Sequence, residues 1–361
     1  MTAIPLPPSW IRKDIRATKA YHTEPAPEGT IKLDAMENPF DLPPVVHQRL
    51  GEEVSKIPLN RYPDGDAGDL KKLLGSILGV PAGNLFLGNG SDEILLYLFL
   101  ATPGPILLAE PTFSMYRIIA GVSERRIASI LMSEDLSLDI QKLIDAASSE
   151  NPSLIVLPNP NNPTGMGLDV KDIQRLCQSF SGGILLDEAY FPFSGETLLP
   201  LQKDYPNLMI LRTLSKMGLA GLRLGILSAD PEVVRELDKV RLPYNMDAMT
   251  QKAALLICRE FFPLLEEQAR WIVRLREQFM EGLNRLPGVA PLPSKANFIL
   301  LRLLKADPSA IHRLLLKENI LVRDVSGHHP LLAGCLRVTV GRKEENDLFL
   351  KVLERILKGL S

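Results

Sequence analysis

Along the middle of the chain, short apolar runs alternate with amphipathic stretches. "NLFLGNG" precedes "SDEILLYLFLA", "GPILLAEP" precedes "FSMYRIIAG", and "SLIVLPNP" precedes "LDVKDIQRLCQSF". "GGILLDEAY", "NLMILRTLS" and "RLGILSA" continue the series. Uninterrupted aliphatic runs bounded by Gly, Pro and Asn read as strands buried on both faces, and the amphipathic stretches between them read as helices. This rhythm predicts an α/β fold with a mostly parallel sheet covered by helices. "LPYNMD" interrupts it, and "AMTQKAALLICREFFPLLEEQARWIVRLREQFMEGLNRL" then carries a helical pattern with a break expected near Pro263. "NFILLRL", "AIHRLLLKENI", "ILVRDV", "CLRVTVG" and "EENDLFLKVLERILKGL" predict a smaller α+β unit. The proline-rich start ("PLPPSW", "HTEPAPEGT") reads as an arm that packs on another surface. The expected organisation is an N-terminal arm over 1–33, a large domain over 34–245 and a small C-terminal domain over 246–361.

Length supports that division, because 361 residues are many for one core. The composition is 45% hydrophobic and 23% charged with a formal net charge of −2, so no basic excess points to nucleic acid or an acidic membrane. No apolar run reaches the length of a membrane span, and prolines fall where a signal peptide needs an unbroken apolar core. Cys177, Cys258 and Cys335 are scattered without a CxxC pair, which argues against a disulfide framework, a zinc site or a redox motif. A cytoplasmic protein whose partner is a small molecule or another subunit is expected.

In open α/β sheets ligands sit beyond the carboxyl ends of the strands, so the residues that follow each apolar run are the candidates. They are Gly88-Asn89-Gly90-Ser91-Asp92-Glu93, Pro158 through Gly165, Asp187-Glu188-Ala189-Tyr190, and Ser215-Lys216. The GNG turn before a helix presents either backbone N–H groups to an anion or a plain turn capped by Ser91 or Asp92. "NNPTG" is a turn former in any setting, and Asp187 is either a helix cap, a surface carboxylate or a buried ion-pair partner. Lys216 is either a solvated loop residue or a partly desolvated amine whose pKa falls near another cation, with Arg223 as that cation and itself expected to be buried. An anion site, a strand-end aspartate and a nucleophilic lysine in one crevice match the needs of pyridoxal phosphate. That cofactor takes a lysine as a Schiff base, an acidic partner on its pyridinium nitrogen, and donors on its phosphate.

At these residues the chain resembles the class II pyridoxal-phosphate-dependent aminotransferases of fold type I, and within them the histidinol-phosphate branch. The resemblance runs through "IRATKAY", "DAMENPF", "RYPDG", "GNGSDE", "EPTFSMY", "PNNPTG", "DEAY", "RTLSKMGLAGLRLG", "LPYN", "ANFILLR", "ILVRD" and "CLRVTVG", nearly the whole chain. It implies a two-half transamination between histidinol phosphate and 2-oxoglutarate in histidine biosynthesis, with Lys216 on the cofactor aldehyde, Asp187 on the ring nitrogen, and Asn162 with Tyr190 at the ring oxygen. It further implies Ser91, Asp92, Ser215 and Arg223 on the cofactor phosphate, together with Tyr62 of the partner subunit, hence a homodimer. Phe113 stands where many relatives stack a tyrosine on the ring. Tyr21, Asn38, Arg323 and Arg337 are the substrate-binding residues that the resemblance implies.

The chain departs from the family at three places: the Lys216–Arg223 interval is one residue shorter than in many relatives, Met36 begins the usual "NENP", and Arg342-Lys343 replace common neutral residues. Broad aromatic transamination and threonine-phosphate decarboxylation are the alternative activities, and a cofactor-binding regulator is the alternative from another class. The five histidines show no metal-ligand spacing, and "HHP" reads as a polar loop, so no metal is expected.

Overall fold

The aliphatic runs become strands β2 (Leu85–Asn89), β3 (Ile106–Glu110), β4 (Ile127–Leu131), β5 (Leu154–Pro158), β6 (Gly183–Asp187), β7 (Leu208–Thr213) and β8 (Leu224–Ser228), after a first short strand β1 (Ile31–Leu33). This arrangement comes from a computed structural model, which describes residues 10–18, 20 and 26–360. Strands β2 to β8 make one sheet in the order β2-β8-β7-β6-β5-β3-β4. All neighbours are parallel except those of β8, which runs antiparallel to both β2 and β7. The exception has a local cause. Every parallel pair needs a crossover, whereas β7 and β8 are joined by the short loop that carries Lys216, and so short a connection allows only an antiparallel return.

Helices cover both faces, which is why β5 is buried at all its positions. Phe86, Leu108, Val156, Leu185 and Leu211 face one helical layer, while Leu107, Ile155, Ile184, Leu186 and Ile210 face the other. The helix Val170–Ser179 shows how sequence sets each cover. The Asp169 side chain accepts from the Lys171 N–H at 2.7 Å to start it, and Ile173, Leu176 and Cys177 recur on the face it buries. Burying each such aliphatic side chain contributes about 1.5–3 kcal/mol.

A second sheet has the order β1-β11-β12-β10-β9, with β9 (Val289–Pro291), β10 (Phe298–Leu303), β11 (Ile320–Asp324) and β12 (Cys335–Thr339). The long helical pattern does divide near Pro263, into helices Ala248–Glu260 and Phe262–Asn284, with the proline in the first turn of the second, where a missing N–H costs nothing. That second helix packs Phe279 edge-on against Phe349 of the final helix Lys343–Leu360 over this sheet. Strand β1, within the stretch read as an arm, pairs parallel with β11 and buries Leu33 in the same core. From there residues 34–42 run along the crevice between the sheets. The Met36 N–H donates to Thr339 Oγ1, and Met36 O accepts from Asn297 Nδ2, so this crossing segment is held from the second sheet. No helix among the described residues is long and apolar enough to cross a membrane.

Candidate active site

Four parallel strand ends and the β7–β8 loop deliver the predicted groups to one pocket, lined by Met36, Ser91, Asp92, Phe113, Tyr116, Asn162, Asp187, Tyr190, Ser215, Lys216 and Arg223 among others. At its β2 end, Gly90 is the N-cap of helix Ser91–Ala101 at φ 81°, with no side chain to close the first-turn N–H groups. Ser91 and Asp92 are therefore first-turn residues and not caps. Gly225 lies against this turn: a Cβ there would stand 2.5 Å from the Gly90 carbonyl carbon and 2.7 Å from the Ser91 nitrogen. A Cβ on Gly90 would meet the Arg223 guanidinium. The turn, the helix N-terminus and Arg223 thus form one close-packed cradle of N–H donors and positive charge. Arg223 is half exposed rather than buried as expected, because its left-handed backbone (φ 50°) turns it to the pocket mouth, where it stands 3.8 Å from Asp92. Burial pushes the Asp92 carboxyl above its usual range.

At the floor, Asp187 is 5% exposed. Its Oδ2 accepts from Tyr116 Oη at 2.8 Å and its Oδ1 from the Ala189 N–H at 3.0 Å. Burial raises its pKa to about 6, while the Tyr116 and Ala189 bonds pull it back down. Tyr116 was not expected from the sequence. It lies three residues after Phe113 in "EPTFSMY", one helical turn on, and that spacing is the only signal that could have found it. The two rings meet edge-on at 5.5 Å.

Asn162 connects the pocket to its neighbour. Its Nδ2 donates to Tyr190 Oη at 3.2 Å and its Oδ1 accepts from Arg337 Nη1 at 2.6 Å. Arg337 Nη2 also donates to Asp34 O at 2.7 Å. Burial pushes the Tyr190 phenol well up, against the pull of Arg337. Ser215 is fixed by Thr213, which donates to Ser215 Oγ at 2.9 Å and accepts from its N–H at 3.1 Å.

Lys216 reaches inward, and its Nζ donates to Ala35 O of the crossing segment at 3.2 Å. Burial lowers its pKa from 10.5 to about 8, and Arg337 is the largest charge acting in the same direction. Arg223 contributes the same sign more weakly, so the cation expected seven residues along the chain is outweighed by one from the second sheet. Behind the lysine loop, Glu188 and Arg212 form a fully buried pair at 2.9 Å, closed by Thr197, which holds the strand ends together.

A cleft of about 520 Å³ opens beside this pocket and shares Met36, Phe113 and Asn162 with it. Arg323 and Arg337 line its far wall, with Glu110 and Arg117 opposite and His328 and His329 on the β11–β12 loop. The two arginines are direct cross-strand partners in the β11–β12 ladder. The "HHP" segment is a loop as read, and its His328 and His329 line the cleft. Asn38 is not brought here: it donates to Met217 O and Gln268 Oε1 and bonds the Phe40 N–H, which secures the crossing segment. Tyr62 is 80% exposed and stacked on Tyr244 at 4.5 Å, away from this chain's own pocket. Tyr21 lies outside the described residues.

The donor set fits pyridoxal phosphate on its chemistry. A buried carboxylate with a raised pKa needs a cationic partner, a buried amine is poised for a carbonyl, and a side-chain-free helix N-terminus with an arginine suits a phosphate.

Comparison with known proteins gives the same picture. The model of the family "Aminotransferase class I and II" matches residues 28–353. Histidinol-phosphate aminotransferase 2 of Nitrosococcus oceani is 41% identical over 349 residues, covering 96% of each chain. The solved structure of histidinol-phosphate aminotransferase from Sinorhizobium meliloti in complex with pyridoxal-5'-phosphate superposes with a TM-score of 0.82 at 26% identity, over 92% of each chain. That of L-threonine-O-3-phosphate decarboxylase from Porphyromonas gingivalis gives 0.80 at 27% identity, over 91% of this chain and 99% of the other. The chain belongs to the aminotransferase class I and II family and is a pyridoxal-phosphate-dependent aminotransferase.

Proposed function

We propose that this enzyme moves the amino group of histidinol phosphate to 2-oxoglutarate, in the cytoplasm and as a homodimer. The observation that carries the substrate reading is the Arg323–Arg337 pair. Two arginines directly opposite on the β11–β12 ladder line the cleft beside the lysine pocket, and forked guanidinium groups suit an anionic substrate group there. The similarity to histidinol-phosphate aminotransferases supports a phosphate as that anion. Tyr21 is assigned to the same phosphate by resemblance. The exposed Tyr62–Tyr244 face supports the dimer, with Tyr62 reaching the partner's cofactor phosphate. Three buried free thiols suit a reducing cytoplasm. The division at residues 34–245 and 246–361 is proposed on the two sheets, strands β2 to β8 lying in the first span and β9 to β12 in the second.

The bound cofactor supplies a carbonyl to take the amine and a ring to withdraw electrons from the substrate α carbon. Asp187 pairs with the ring nitrogen and holds its proton, and Tyr116 keeps the carboxylate oriented. Asn162 and Tyr190 would hold the ring oxygen, and Phe113 would pack on the ring. The Ser91 and Asp92 N–H groups, Ser215 and Arg223 bind the cofactor phosphate. Lys216 Nζ would hold the cofactor's carbonyl carbon between turnovers and, once freed, would act as the base and then the acid that moves the substrate α-carbon proton. Its lowered pKa suits both duties near neutral pH.

The test is glutamate formation from 2-oxoglutarate with histidinol phosphate, phosphate-free histidinol or an aromatic amino acid as donor. Strong preference for the phosphorylated amine supports the reading, and equal or better use of aromatic amino acids overturns it. The similarity to a phosphothreonine decarboxylase supports a second reading, which carbon dioxide release from threonine phosphate would reveal.

A further inference from the structure

His328 belongs neither to the cofactor pocket nor to the arginine pair, yet its position is built. The loop that joins the two arginine-bearing strands makes a turn, with the His328 N–H donating to Val325 O at 3.1 Å, and this brings the imidazole back over the cleft that Arg323 and Arg337 line. Its neighbour His329 is committed, since Nδ1 accepts from the Leu331 N–H at 3.2 Å and caps the short turn after it. The His328 side chain makes no hydrogen bond or ion pair with another described residue, and both ring nitrogens remain available to a ligand.

We propose that His328 is a further ligand to the substrate's phosphate, beside Arg323, Arg337 and Tyr21, and that it takes up a proton from solvent when the phosphate binds. The inference rests on the phosphorylated-substrate reading above. The groups that face the ring set its direction. Arg323 and Asp324 come from β11 and Arg337 from β12, while Glu110 and Arg117 stand across the cleft already paired with each other at 2.6 Å. Asp324, its oxygens bonded by Ser309 and Ser326, pulls the ring the other way from Arg323 and Arg337 and acts more weakly than either. Burial first, then the two arginines, hold the His328 pKa below its usual value, which keeps the ring neutral at pH 7 before substrate binds. A phosphate dianion reverses that balance, because an opposite charge within hydrogen-bond reach raises an imidazole's pKa by about 1–3 units. Binding then tightens as pH falls from 8 toward neutrality, until the phosphate itself protonates near pH ~6. A dicarboxylate substrate carries less charge at that point and draws the proton less, which separates the two substrates of one cleft by charge density.

The experiment is a histidine-selective NMR titration of the cofactor-loaded enzyme, with and without saturating inorganic phosphate, the His328 signal being assigned by its loss in His328→Gln. The inhibition constant of phosphate against the amine substrate is measured for both proteins from pH 6.5 to 8.5. The expected results are a His328 midpoint that rises by about one unit or more with phosphate, and inhibition weakened about tenfold in His328→Gln with its pH dependence flattened. An unchanged cofactor absorption band shows that the variant is folded. A midpoint unmoved by phosphate, with equal inhibition of both proteins at every pH, overturns the inference and leaves the substrate reading standing. No competition by phosphate in the wild type overturns both.

Discussion

In the cofactor-free protein the Lys216 pKa is pushed down to about 8. Its amine is taken from water by the pocket, and Arg337 adds a repulsive charge, which together bring it down from 10.5. At pH 7.5 that leaves about one Lys216 in four as free amine, against about one in a thousand for an ordinary lysine. The nucleophile gains a factor of roughly 200 before any positioning is counted. The perturbation that tests the cause is Arg337→Gln, which removes the charge together with the bonds to Asn162 and Asp34 O, and it raises the Lys216 midpoint by about one unit. The assay is competitive acylation of the cofactor-free protein across pH 6–11, with each lysine followed by mass spectrometry. Burial slows the reagent and lowers the amplitude, but the midpoint of the rate against pH reports the pKa. A midpoint near 10.5, or one that Arg337→Gln leaves in place, refutes the reasoning.

Other consequences follow from the same geometry. Lys216→Met stabilises the cofactor-free protein: a lysine whose folded pKa lies below its unfolded one carries a penalty that is complete below about pH 8 and absent above 10.5. The penalty is about 3 kcal/mol, offset by about 1 for the lost bond to Ala35 O, so the thermal midpoint rises at pH 7 and the gain shrinks toward pH 10. Tyr116→Phe removes the bond that draws the Asp187 pKa down, so the carboxyl stretch of protonated Asp187 in infrared difference spectra persists well above pH 6 in the cofactor-free variant. Gly225→Ala drives a methyl group into the Gly90–Ser91 backbone, costs about 1–3 kcal/mol of overpacking, and weakens cofactor retention on dialysis. Glu188→Ala leaves Arg212 buried and unpaired, which costs about 3–5 kcal/mol and shows as a large drop in thermal midpoint.

Much of the sheet was legible because its strands are buried on both faces, which writes them as unbroken aliphatic runs such as "LIVLP" and "GILLD". Residues that close such runs fall at strand ends by geometry, so Asp187, Asn162 and Lys216 could be placed in one crevice from order alone. What stayed hidden depends on non-local packing. Strand β1 is three residues long in a proline-rich context, and its partner is nearly 300 residues away. Tyr116 sits in an ordinary amphipathic helix, and nothing local marks its hydroxyl as the partner of Asp187. The larger charge on Lys216 comes from Arg337 in another sheet, where sequence proximity favoured Arg223. His328 became a cleft residue only when the loop between two strands turned back over their arginines. Asn38, implied as a substrate ligand, spends its side chain on the crossing segment instead, because that segment must be anchored from both sides.

The central claim is that one site holds the cofactor on Lys216 and exchanges amino groups between a phosphorylated amine and a keto acid. The most direct measurement is the visible spectrum of the cofactor-loaded enzyme before and after histidinol phosphate, and again after 2-oxoglutarate. The account predicts that the band of the lysine-bound cofactor falls with the amine and returns with the keto acid, with neither change in Lys216→Ala. A band that ignores histidinol phosphate and responds only to an aromatic amino acid contradicts the substrate claim, and the absence of any band after addition of cofactor contradicts the site itself.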